Sequence, residues 1–106
     1  LLYGDSGREI EFDDRVLAHL QIVISTKLRR RECFFFSWKD DAAAGNGRSS
    51  IWLAASIPLL FKFSTATRHI INREWIDQLT VSANSAQGLY LSDEVGVSTP
   101  APRSRV

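Results

Sequence analysis

Few places in this chain carry residues from which chemistry is built. They are the serine of Gly4-Asp5-Ser6-Gly7, the glycine-rich stretch Gly45-Asn46-Gly47-Arg48-Ser49, the histidines His19 and His69, and the single cysteine Cys33. A nucleophilic serine works only when a base histidine and an orienting acid converge on it. In so short a chain, Gly4 to Gly7 reads as a tight hairpin turn, because glycine and aspartate are the residues such turns require. A phosphate cradle needs glycine amides followed by lysine and a hydroxyl residue at the opening of a helix. Here Arg48 stands in place of the lysine, Ala42 in place of the first glycine, and Ser50-Ile51-Trp52-Leu53 continues as a strand, which makes 45–49 a hairpin loop. No two of the histidine and cysteine residues fall at the short spacing of a metal-ligand set. The sequence therefore assigns no catalytic residue, no cofactor and no metal site.

Two other groups of side chains are suited to binding. Lys27, Arg29, Arg30 and Arg31 form a basic run at the end of a helical pattern, where cations complement the negative end of the helix dipole. With Arg48 they are also candidates for phosphate contacts, with Trp52 or Phe35 as stacking surfaces. The second group is apolar: Phe35, with either Trp52 or Leu60, is expected to leave an apolar strip on a sheet face that no helix covers.

The elements that position these groups follow from periodicity. Leu1 to Tyr3 and Glu9 to Phe12 flank the turn as a hairpin, with Ile10 and Phe12 on one face and Glu9 and Glu11 on the other. Asp13 or Asp14 caps a helix whose apolar stripe runs Val16, Leu17, Leu20, Val23, Ile24, Leu28. From Cys33 to Lys39, alternation sets Phe34, Phe36 and Trp38 against Cys33, Phe35, Ser37 and Lys39, so both faces carry apolar weight. After a loop over 40–50, Ile51 to Leu53 and Ile57 to Phe63 read as strands, with Pro58 at a start or an edge. Asn72 caps a second helix, Ile71 staples onto Ile76, and Trp75, Ile76, Leu79 and Ala83 form the buried stripe. Gly88 to Leu91 adds a short strand. Periodicity stops at Ser92, so 1–91 is expected to be one domain and 92–106 a disordered tail.

Composition bounds the rest. With 106 residues, 44% hydrophobic and 24% charged, the chain has the size and balance of a single globular domain. A net charge of +1 gives no whole-molecule attraction to nucleic acid or anionic membranes, so any such binding must come from a local patch. One cysteine cannot form an internal disulfide, which points to a reducing, cytoplasmic setting. The longest apolar runs, Phe34 to Phe36 and Ile57 to Phe61, are far shorter than the roughly 20 residues that span a bilayer. No methionine stands at position 1, so a few preceding residues are expected.

Several runs taken together resemble a known family. They are Glu9 to Arg15, Phe34 to Asp41, Gly47 to Leu53 and Ile71 to Ile76. The chain up to about Leu91 is similar to short actinobacterial proteins of unknown function, many of which carry the label of ATP-dependent DNA ligase. The resemblance implies the family and no activity. A nucleotidyl-transferring ligase needs its lysine nucleophile in a Lys-x-Asp-Gly setting, and Lys39-Asp40-Asp41-Ala42 lacks the glycine.

The expectation is an α+β domain: a mostly antiparallel sheet of five or six strands with two helices on one face. The first functional expectation is a small non-catalytic interaction module, self-associating or docking another protein through the uncovered sheet face. The alternative is a nucleic-acid-binding accessory domain.

Overall fold

The computed structural model describes residues 1–41, 45 and 47–96. The order is β1 (Leu2–Tyr3), β2 (Arg8–Glu9), α1 (Asp14–Arg29), β3 (Phe34–Lys39), β4 (Arg48–Leu53), β5 (Leu59–Leu60), α2 (Arg73–Ala83) and β6 (Leu89–Tyr90). The fold is α+β, and its six strands divide into two three-stranded sheets, ordered β2-β1-β5 and β4-β3-β6. All pairings are antiparallel except β3 with β6. The single expected sheet splits because β5 is only two residues long and pairs with β1, not with β4. Both expected strands around it change length. β4 reaches back to Arg48 to match Lys39 across the ladder, and β2 stops at Glu9. Ile10 and Phe12 still pack on the core from an irregular segment.

The core lies between the helices and the inner face of the second sheet. Leu17, Leu20, Val23 and Ile24 of α1 and Trp75, Leu79 and Ala83 of α2 meet Phe34, Phe36, Leu53 and Leu89. Every one of the sheet residues in that set belongs to the inward parity of its strand, and among the described residues no helix covers the outward parity, where Ser37 alone is buried.

The two helices end differently. Asp13 is the N-cap of α1 without a side-chain cap bond, and the Asp14 carboxylate instead accepts from the backbone N–H groups of Ser64 and Thr65. Those bonds, the Ser64 one first, hold Asp14 below the usual carboxylate range. Asn72 caps α2 by accepting from Trp75 N at 3.2 Å. At the C-terminus of α1, Arg31 N donates to Leu28 O and Glu32 N to Lys27 O, the paired bonds of a Schellman ending. The residue in left-handed conformation there is Arg31, at φ 60°, where glycine is the usual occupant.

Candidate binding face

The outward side chains of β3 and β4 form three cross-strand pairs in a row. Phe35 lies opposite Trp52, Ser37 opposite Ser50, and Lys39 opposite Arg48. Successive pairs on one face are about 7 Å apart. Phe35 and Trp52 meet edge to face, ring centroids 5.0 Å apart, and remain 51% and 43% exposed. The Ser37 and Ser50 hydroxyls are 2.6 Å apart and hydrogen-bonded to each other. Lys39 and Arg48 are both exposed, and among the described residues neither has an acidic partner. Like charges directly opposite in a ladder cost stability.

The third strand extends the face. Tyr90 of β6 stands beside Ser37 in the parallel register and is 41% exposed, while its neighbour Leu89 is in the core. Its backbone is fixed by bonds from Tyr90 N to Ser82 Oγ and from Leu91 N to Ser37 O. Gly88 permits this approach: at φ +85° its hydrogen faces the Phe35 carbonyl oxygen, where a Cβ would collide with backbone. The turn residues Ala86 and Gln87 wall a shallow groove over Ser37, Ser50 and Arg48.

Of the expected strip, Phe35 and Trp52 are brought together and Leu60 is not. Leu60, 53% exposed, belongs to β5 of the other sheet and pairs with Leu2. The sheets are joined near Trp52, whose carbonyl accepts the Tyr3 hydroxyl at 2.6 Å. Alternation places Lys39 on the Phe35 side of β3 without marking it as a binding residue, and Tyr90 is the member of the face that sequence reasoning missed. The signal was the alternation in Gly88 to Leu91.

The basic run is divided among structural tasks. Lys27 is buried: its ammonium pairs with Glu32 at 2.5 Å, donates to Asn84 Oδ1 at 2.7 Å and sits 5.6 Å from the Phe34 ring centroid. Glu32 lies below its usual carboxylate range because of the Lys27 bond first, with Arg30 and Lys27 charges adding to it. Arg30 pairs with Glu32 at 3.4 Å, Arg31 forms the helix ending, and Arg29 is exposed. Arg48 is apart from all of these. It lies at the far end of the ladder, beside Lys39, about 16 Å along the strands from Phe34.

The chemical candidates resolve simply. Gly4 and Gly7 take positive φ in a turn closed by Gly7 N to Gly4 O, and Ser6 is exposed there. His19 is fully buried, with Nδ1 2.7 Å from Arg15 O and Nε2 accepting from Asn72 N at 2.8 Å, so both ring nitrogens are already engaged. β4 begins at Arg48, so strand and not helix follows the glycine loop; its Ala42 and Asn46 lie outside the described residues. Among the described residues, no three histidine, cysteine or acidic side chains gather as a metal would need.

One polar cluster had no counterpart in the sequence reading. Arg15 grips Glu94 bidentately, Nε to Oε1 at 2.9 Å and Nη2 to Oε2 at 2.6 Å, and its Nη1 donates to Ile70 O. Asn72 Nδ2 donates to Glu94 Oε2 and to Val95 O, and Trp75 Nε1 donates to Ser92 O. The bond from Arg15, then that from Asn72, brings the Glu94 pKa from 4.5 to about 2. This clasp ties the segment after Leu91 to the first turns of both helices. Residues 97–106, the greater part of the expected tail, lie outside the described residues.

The family model for a domain of unknown function, DUF7882, matches residues 1–94, a span that takes in both sheets, both helices and Glu94 of the clasp. The chain belongs to that family. No curated protein and no solved structure matches it. Within the described part of this DUF7882 domain, no helix is long and apolar enough to cross a membrane.

Proposed function

We propose that this DUF7882 domain is a small non-catalytic binding module that works through the outward face of the β4-β3-β6 sheet. The observation that carries the reading is the Phe35 and Trp52 pair, two large aromatics packed edge to face and about half exposed on a face that no helix covers among the described residues. Aromatic rings left in water by the fold are the usual centres of binding surfaces, since they bring large contact area at little entropic cost. The ligase label attached to similar actinobacterial proteins gains no support from the residues: Lys39 is a surface strand residue of this face, without the glycine setting of a nucleotidylated lysine. A cytoplasmic setting remains the expectation from the lone, exposed Cys33.

Self-association and nucleic-acid binding are the two uses of such a face to be tested. Sedimentation equilibrium over a micromolar concentration range and oligonucleotide anisotropy are to be run on the wild type and on F35T/W52T. Threonine keeps strand propensity at both positions. At least one binding event, lost in the variant while its far-UV dichroism is unchanged, is the expected result. A strictly monomeric protein that binds no oligonucleotide overturns the proposal.

A further inference from the structure

We infer that the occupant of this face is a single-stranded nucleic acid, its bases stacked on Phe35, Trp52 and Tyr90 and its phosphates held by Lys39 and Arg48. The inference rests on the binding-module reading above and names the partner. Its basis is the order of the three cross-strand pairs: an aromatic pair, a hydroxyl pair and a cationic pair follow one another along one face. A nucleic-acid strand presents the same chemistries, and because the aromatic and cationic pairs lie about 14 Å apart, the phosphates at Lys39 and Arg48 belong to a nucleotide farther along the strand than the base stacked on Phe35 and Trp52. Tyr90 gives a second stacking position on the adjacent strand, beside the hydroxyl pair.

Charge complementarity selects against a second copy of the chain. A two-fold interface uses the same patch on both partners, so a good one must be complementary to itself. The face carries Lys39 and Arg48 and no acidic residue among its outward positions Phe35, Ser37, Lys39, Arg48, Ser50 and Trp52. Doubling it would bring four cations together with no acidic side chain among those positions to answer them; the nearby Asp40 already accepts from the Ser49 hydroxyl. An anionic partner answers both cations at once and relieves the like-charge pair.

The shape selects the single strand. The face is a shallow, open groove, and a free mononucleotide can take either the aromatic stack or the cations, whereas a strand spans both and adds a stack on Tyr90. A duplex has its base faces already stacked and offers only its backbone. The arginines at the end of α1 take no part, because Arg30 is paired with Glu32 and the run lies at the opposite end of the ladder from Arg48.

The test uses fluorescein-labelled oligothymidylate of about ten nucleotides in an anisotropy titration over a salt series, with the same sequence as a duplex and thymidine monophosphate as competitors. The single strand should bind, the duplex should compete weakly and the mononucleotide hardly at all. W52L should raise the Kd about tenfold or more. K39Q/R48Q should flatten the slope of log K against log salt by about 1.4, the value for two phosphates on a single strand. R29Q/R31Q should change neither. Binding that survives W52L but falls with R29Q/R31Q overturns the inference, as does the absence of binding at low salt. If the oligonucleotide fails but the protein self-associates in a manner abolished by F35T/W52T, the partner is wrong and the binding face stands. If neither event is seen, both fall.

Discussion

Replacing Glu94 by alanine removes the centre of the clasp, and the structure gives the size of the effect. Two charge-assisted bonds from Arg15 and one bond from Asn72 are lost. Hydrogen bonds to charged groups contribute about 1.5–3 kcal/mol each when dry. Here the Arg15 side chain is 38% exposed, so water replaces part of what is lost, and Asn72 keeps Val95 O as an acceptor. The net cost is about 2 kcal/mol. For a domain of this length that lowers the Tm by roughly 10 °C. Arg15→Met should cost about as much or more, because it also loses the bond to Ile70 O and leaves the Glu94 carboxylate unpaired, and the double variant should show a coupling of about 1 kcal/mol in a urea-denaturation cycle. Truncation should follow the same logic: ending the chain after Leu91 costs at least as much as Glu94→Ala. The clasp is refuted if Glu94→Ala leaves the Tm unmoved, or if the two single substitutions simply add.

One further outcome concerns the end of α1 and another the acid sensitivity of the clasp. Arg31→Gly should stabilise the protein by about 0.5–1 kcal/mol in chemical denaturation, because glycine relieves the left-handed residue of the α1 ending without removing its two backbone bonds; a destabilised variant would show that the Arg31 side chain has a role of its own. Stability should fall as pH drops from 4.5 toward 2, because the folded-state pKa of Glu94 lies below its unfolded value, so its contribution is complete above 4.5 and lost as the folded carboxylate protonates. After allowance for solvent screening this amounts to about 1–2 kcal/mol. Glu94→Ala should flatten that part of the acid-denaturation profile, and an unchanged slope would contradict the assignment.

What the sequence made legible was whatever repeats within one element. The α1 stripe supplies Leu17, Leu20, Val23 and Ile24 to the core, Asn72 is the α2 cap, and the alternation of β3 separates Phe34 and Phe36 from Phe35. A two-residue strand has no period, so nothing in Leu59 and Leu60 distinguishes pairing with β4 from the pairing with β1 that occurs. Leu60 was therefore expected on a face to which it does not belong. Arginine at 31 gives no turn signal, yet the backbone turns left-handed there because the Lys27 and Glu32 pair closes the helix end over it. The clasp joins residues 79 positions apart, Arg15 and Glu94, and local pattern carries no trace of such a pair. On the candidate face, Phe35 and Trp52 were legible from their own strands. The Lys39 and Arg48 pair was not, because it depends on the register that carries β4 back to Arg48.

Binding of single-stranded nucleic acid to the outward face of β4-β3-β6 is tested by amide chemical-shift mapping. The 15N-labelled protein is titrated with unlabelled oligothymidylate at low salt. The largest shifts are expected at Phe35, Ser37, Lys39, Ser50, Trp52 and Tyr90, with the Trp52 indole N–H among them and the Trp75 indole, donating to Ser92 O, unmoved. Shifts confined to Arg29, Arg30 and Arg31 at the end of α1, or no shifts at all, would contradict it.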